Sequence, residues 1–198
     1  VALRGRCRFC GAKIPLRYLI VEFLTATLFL LLYVTFGYSA KSFAYAIFTG
    51  GLIVATFVDF EIQEIPDQVS IGGIVVGLAA AVIFPSIFDT ASRFESILNS
   101  FLGVLAGGGS IFTLQMVGSI MYKKKIKELG IESAMGDGDV KLMAMIGAFL
   151  GWKLVLLTFF IAPIFGSVVG VILKVKDNKD IIPYGPHLSL AAVIAMFF

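Results

Sequence analysis

Two short acidic stretches hold the residues of this chain that are best suited to acid–base chemistry. Asp59 begins the first stretch, and Asp137 and Asp139 alternate with glycines in the second. Each stretch adjoins a long apolar run, where an ionised carboxylate is costly and usually functional. Two neighbouring carboxylates share a proton, so that one activates water while the other protonates a carbonyl oxygen. The first hypothesis is therefore aspartic proteolysis.

One acid from each stretch is the predicted member of the catalytic pair. Asp137 and Asp139 are two residues apart, so they point to different sides of a helix and only one can face a partner. Asp139 adjoins the apolar run and is the predicted catalytic acid, whereas Asp137 is predicted to cap the helix. Asp59 ends an apolar span and is the predicted partner. Asp67 is the second choice, because it could instead cap the next span.

The neighbours of Asp139 are predicted to support the site or the substrate. Gly136 and Gly138 would let the backbone approach an extended substrate closely. Lys141 is predicted to be an anchor at the membrane interface, and Asp67 is counted with these supporting residues. His187 could line the site, although an ordinary histidine at a helix end is the preferred interpretation.

Two other chemistries could use the same carboxylates. Oxygen ligands suit a divalent metal such as Mg²⁺, and acids at broken helices could bind protons or cations in a transporter. Glu61, Glu64 and Asp137 are more simply interpreted as solvated residues beside the membrane. The acids available to a metal are Asp59, Glu61, Glu64, Asp67, Asp137 and Asp139.

Composition places these acids in a membrane protein. The 198 residues are 59% hydrophobic and only 15% charged, whereas a soluble domain carries roughly 25% charged residues. The apolar runs are continuous and approach bilayer-spanning length. They predict an all-α, polytopic membrane helix bundle of about seven transmembrane segments. These segments are 18–36, 42–58, 69–88, 97–122, 140–152, 154–173 and 181–198.

The basic residues predict the orientation of the bundle. If the seven segments alternate from a cytoplasmic N-terminus, thirteen of the sixteen Lys and Arg residues fall on the cytoplasmic side. Cytoplasmic loops carry such an excess. The same alternation places both acidic stretches at the cytoplasmic face, although about 75 residues separate them along the chain.

The only two cysteines, Cys7 and Cys10, form a CxxC pair in the basic N-terminal segment. One CxxC pair is half of a four-thiolate zinc site, so a second pair would have to lie in a missing N-terminus. The alternative is two free thiols in a loop beside the membrane. The chain is predicted to comprise residues 1–17, a remnant of a cytoplasmic cysteine-containing domain, and residues 18–198, a transmembrane domain that would hold the peptidase site.

Four motifs resemble those of type IV prepilin peptidases, in the family's order and almost from end to end. Residues 136–142 are similar to the family's GxGD motif, and residues 59–67 to its first aspartate motif. Residues 3–11 resemble the stretch that holds its second CxxC pair, and residues 183–186 its last motif. GxGD alone is shared with presenilin-type proteases and archaeal preflagellin peptidases, but the four motifs together are specific.

The resemblance implies a GxGD aspartic endopeptidase of the prokaryotic cytoplasmic (inner) membrane. It would remove the basic leader of prepilins or pseudopilins in pilus, type II secretion or competence systems, cutting after a glycine on the cytoplasmic side. The family's catalytic pair carries over to Asp59 and Asp139, and no cofactor is required for proteolysis. A helix N-terminus favours an ionised acid, so Asp139 is predicted to carry the charge and Asp59 the shared proton.

Two further expectations follow from the resemblance. The apolar segment of a prepilin would pack against spans lined by Gly72, Gly73, Gly77 and Gly103. Many family members also methylate the new N-terminus with S-adenosylmethionine and carry two CxxC pairs. This chain has only the second pair, so zinc at Cys7 and Cys10 and methylation are expected only of an intact bifunctional protein.

Overall fold

The computed structural model describes residues 5–6, 8–123, 133, 135–177 and 183–198. Within these residues the chain forms six α-helices and no β-strand, as the all-α prediction requires. Helices α1, α2, α4 and the first part of α5, Asp137–Gly170, are long and apolar enough to cross a membrane. The helices are α1 Leu16–Phe36, α2 Ala40–Ile62, α3 Asp67–Ile83, α4 Arg93–Met121, α5 Asp137–Asp177 and α6 Gly185–Met196.

Helix α2 carries Asp59 and is longer than the sequence predicted. It begins after Ser39, whose hydroxyl accepts a hydrogen bond from the Ser42 N–H at 3.1 Å. It continues to Ile62 and ends where Gln63 adopts a left-handed conformation, with φ 54° and ψ 36°. Asp59 therefore lies inside the last turn of α2, one turn from its end.

Helix α3 is shorter than the predicted segment 69–88. It ends at Ile83, and a separate 3₁₀ helix spans Pro85–Phe88. Phe84 between them has φ −125° and ψ 78°, because a proline disfavours the helical conformation of the residue that precedes it. The prediction missed this boundary because apolar residues resume at Ile87 and Phe88, just beyond Pro85 and Ser86.

Helix α5 reverses direction at Gly151, whose φ of 77° and ψ of 175° lie outside the helical range. A Cβ on Gly107 of α4 would contact both the Met143 carbonyl, before the break, and Val155, after it. Since positions on either side of Gly151 reach the same point of α4, the two arms of α5 double back along that helix. The break lies within the predicted segment 140–152, two residues before the predicted boundary at residue 153.

The bundle is held together by contacts in which backbones approach each other closely. A Cβ on Gly103 of α4 would coincide with the carbonyl of Gly147 in α5, and the reverse substitution would do the same. Beside this crossing, the buried Ser100 hydroxyl donates to the Ala148 carbonyl at 2.7 Å. Close backbone approach also occurs at Gly107, where a Cβ would overlap the Met143 carbonyl oxygen.

Four glycines of α3 and α4 were predicted to receive the apolar segment of a prepilin. The prediction is wrong for three of them, because other residues of the chain already pack against them. Met145 packs onto Gly73, and Ala148 lies 2.8 Å from the position of a Cβ on Gly77. Gly103 faces Gly147 at the helix crossing. Of the four, only Gly72 has no neighbouring atom within 4 Å. The other three are used for packing within the chain itself.

Helix α1 lies at the edge of the bundle and packs on α2. Arg17 forms an ion pair with Glu61 and donates to the Phe57 carbonyl at 3.1 Å, which ties the start of α1 to the turn of α2 that carries Asp59. Glu61 is thus paired rather than simply solvated. Cys10 is an exposed free thiol, while Cys7 lies outside the described residues, so the predicted zinc pair stays a prediction.

Candidate active site

Both predicted catalytic acids line one cavity. Asp59 is 5% exposed and Asp139 is 8% exposed, and the cavity between them measures about 550 Å³. The two carboxylates are close enough to interact electrostatically. Residues of both acidic stretches therefore line the same cavity. The cavity is lined by Asp59, residues 62–68, residues 136–139 and Lys141.

Asp139 is placed by the first turn of α5. Its backbone N–H donates to the Gly136 carbonyl at 3.1 Å, which sets the start of the helix. A Cβ on Gly138 would lie 3.0 Å from the Cβ of Ile65. Gly138 thus allows the start of α5 to approach the connection between α2 and α3. Gly136 also lines the cavity.

Asp59 is held by the start of α6. The backbone N–H of Gly185, the first residue of α6, donates to Asp59 Oδ2 at 3.0 Å. A Cβ on Gly185 would lie 2.7 Å from the same oxygen, so a larger residue at this position would displace the Asp59 carboxylate. A helix N-terminus favours a negative charge, and each of the two acids lies at one: Asp139 at the start of α5 and Asp59 against the start of α6. The helix N-termini therefore do not decide which acid is ionised and which holds the shared proton.

Tyr184 directly precedes α6. A Cβ on Gly166 of α5 would lie 3.4 Å from the Tyr184 ring, so Tyr184 packs on the second arm of α5. Its ring meets the ring of His187 edge-on at 6.3 Å. His187 is buried and is not among the cavity-lining residues, so it packs against Tyr184 rather than lining the site.

Lys141 and Asp67 form an ion pair on the cavity wall. Lys141 Nζ lies 2.6 Å from Asp67 Oδ1, and both residues line the cavity. The sequence prediction of Lys141 as an interfacial anchor missed this partner, which is 74 residues away. The pair links the first residue of α3 to the start of α5. Both side chains are more than a third exposed, so the pair adds little stability.

Asp137 is the first helical residue of α5. The capping prediction required it to precede the helix, so that prediction is wrong. Its exposed carboxylate accepts a hydrogen bond from Gln115 Nε2 at 2.6 Å. Gln115 is a buried amide on α4 that the sequence analysis missed, because it belongs to no motif. The available signal was an amide deep inside a predicted membrane span, since such groups usually hydrogen-bond across helices.

The carboxylates do not assemble into a metal site in the part of the chain that the structure describes. No three His, Cys, Asp or Glu residues there are grouped so that they could hold an ion. Glu61 is engaged by Arg17, and Asp67 by Lys141. The magnesium hypothesis thus has no ligand set among these side chains.

Comparisons with known proteins agree with the geometry. The model of the type IV leader peptidase family matches residues 46–171, and that of the bacterial peptidase A24 N-terminal domain matches residues 1–36. The chain is 32% identical to a protein of Legionella pneumophila over 100% of its own length and 64% of the relative's. It is 30% identical to a protein of Aeromonas hydrophila over 99% of its length and 63% of the relative's.

Both relatives are named prepilin leader peptidase/N-methyltransferase. A relative with the same name, from Neisseria gonorrhoeae, is 31% identical over 97% of this chain and 61% of its own length. The chain thus spans less than two thirds of the length of these relatives. No solved structure matches it.

Proposed function

Because the chain belongs to the type IV leader peptidase family, we propose that it is an aspartic endopeptidase that removes the basic leader of type IV prepilins or pseudopilins. The observation that carries this proposal is the meeting of Asp59 and Asp139, from α2 and α5, at one cavity. The relatives' names also mention N-methylation. The proposal for this chain is limited to cleavage.

In the proposed mechanism the two carboxylates hold one proton between them. The ionised acid takes a proton from water as the water oxygen attacks the carbonyl carbon of the Gly–X bond, and the protonated acid donates its proton to the carbonyl oxygen. The resulting gem-diol collapses when its C–N bond breaks. The departing amine takes the proton that the first acid received from water, and one hydroxyl of the diol returns a proton to the other acid, which restores the shared-proton state. The Gly185 N–H fixes one oxygen of Asp59, which leaves the other oxygen for water.

We place the cavity at the cytoplasmic face of a multi-pass inner-membrane protein. The excess of basic residues on that side supports this orientation. The proposed count of about seven segments treats the two arms of α5 separately and includes the shorter apolar helices α3 and α6. A prepilin leader, which enters from the cytoplasm, would then reach Asp59 and Asp139 without crossing the bilayer.

The test is to incubate the purified chain in detergent with a prepilin and EDTA and to measure the product masses. We expect a loss of mass equal to the leader, with a new N-terminus immediately after a glycine and no effect of EDTA. Cleavage that EDTA abolishes and Mg²⁺ restores would instead support a metal-dependent enzyme. Ion flux in liposomes without any peptide hydrolysis would support a transporter.

A further inference from the structure

Gln115 is a buried amide in the apolar helix α4, with 8% of its surface exposed. A polar group buried at such a position is stable only if it is hydrogen-bonded. Its Nε2 donates to Asp137 Oδ1 at 2.6 Å and to the Met135 carbonyl at 3.0 Å. Ser133 Oγ lies 3.4 Å from the same nitrogen and donates to the Met135 carbonyl at 2.5 Å.

These contacts hold the chain on both sides of Gly136. Met135 precedes this glycine and Asp137 follows it, while the Gly136 carbonyl accepts the hydrogen bond from the Asp139 N–H. A glycine has more conformational freedom than any other residue. With both of its neighbours fixed by one amide, the peptide from which α5 starts has a defined direction.

Helix α4 is a suitable fixed reference for this segment. A Cβ on Gly107 of α4 would contact the backbone carbonyl of Met143 in α5, so the two helices cannot shift past each other without separating. Gln115 lies about two turns beyond that contact, on the side of the bundle where α5 begins. It does not line the cavity itself.

We propose that Gln115 is a positioning residue that orients Asp139 toward Asp59 through residues 135–137. Its effect on cleavage rests on the proposed function. It acts on the geometry of the reacting acids and not on the binding of the substrate, because it lies outside the cavity lining. A displacement of a catalytic group by about 1 Å can cost about a hundredfold in rate, so loss of these hydrogen bonds is expected to reduce kcat.

The test uses Gln115→Glu, which keeps the shape of the side chain but replaces its N–H donor with an oxygen. This oxygen would face two other acceptors, Asp137 Oδ1 and the Met135 carbonyl. We expect kcat to fall at least about tenfold, with KM changed less than about twofold. Adding Asp137→Asn supplies an amide donor to the new carboxylate at position 115, and the double variant is expected to regain at least about threefold in kcat.

The matched control is Thr113→Val on the same helix, whose exposed hydroxyl donates to the Gly109 carbonyl of its own helix. This control should retain wild-type kcat.

Hydrogen exchange in detergent tests the same contacts without any activity. Amides of residues 135–141 are expected to exchange faster in Gln115→Glu than in the wild type, whereas those around Asp59 are unchanged. Wild-type kcat in Gln115→Glu, no recovery in the double variant, or unchanged exchange would each overturn the proposal. If the wild type cleaves no prepilin, the proposed function fails, and the exchange comparison still decides the role of Gln115.

Discussion

Replacement of either Asp59 or Asp139 by asparagine is expected to lower kcat for leader cleavage by at least about a thousandfold. Asparagine preserves the size of each side chain but can neither accept a proton from water nor return one to the substrate. Because the two acids act as one unit, the double variant should be about as inactive as either single variant. The measurement is the initial rate of product formation, followed by mass spectrometry.

The matched control is Asp89→Asn. Asp89 is an exposed acid that follows the 3₁₀ helix, and it pairs at 2.6 Å with Lys41, which lies on α2 about 27 Å along the helix from Asp59. This variant should cleave at the wild-type rate. Near-normal cleavage by Asp59→Asn or Asp139→Asn would show that the assigned acid is not catalytic.

The second large effect is expected from Gly147→Ala. Its new methyl group would meet the backbone carbonyl of Gly103, and backbone atoms cannot move aside as a flexible side chain can. We expect a loss of about 3 kcal/mol in stability, seen as a fall of roughly 6–12 °C in the apparent melting temperature in detergent.

Gly109→Ala provides the opposite control. Gly109 is also a helical glycine, but no atom outside its own helix lies within 4 Å of its Cβ position. Alanine is the better helix former by roughly 0.5–1 kcal/mol, so this variant should melt at the wild-type temperature or slightly above it. If Gly147→Ala melts together with Gly109→Ala, the close crossing of α4 and α5 does not exist in solution.

The pairing of Asp59 with Asp139 could be anticipated because each acid stands out in its own surroundings. An acid beside an apolar run is conspicuous, the spacing separated Asp139 from Asp137, and the basic residues placed both stretches on one side. The presence of the helices could likewise be predicted from the length of the apolar runs. These signals are local, and they can be read without knowing which helices touch.

The contacts that orient the acids could not be anticipated, because they depend on which residues the fold brings together. The bond from Gly185 to Asp59 joins positions 126 residues apart, and the pair of Lys141 with Asp67 spans 74 residues. Nothing in the sequence around the glycines of α3 shows that α5 already occupies their face. Gln115 carries no charge and belongs to no motif, so the sequence did not indicate that it would bind the residues at the start of α5.

The pH dependence of kcat tests the central claim, that cleavage needs one proton held between Asp59 and Asp139. The measurement is the cleavage rate of the purified wild-type chain at saturating prepilin, in EDTA, across the pH range in which its fold persists. Our account predicts a bell-shaped profile, since the rate falls when both acids are protonated and again when neither is. A rate that rises to a plateau and does not fall at higher pH would contradict it.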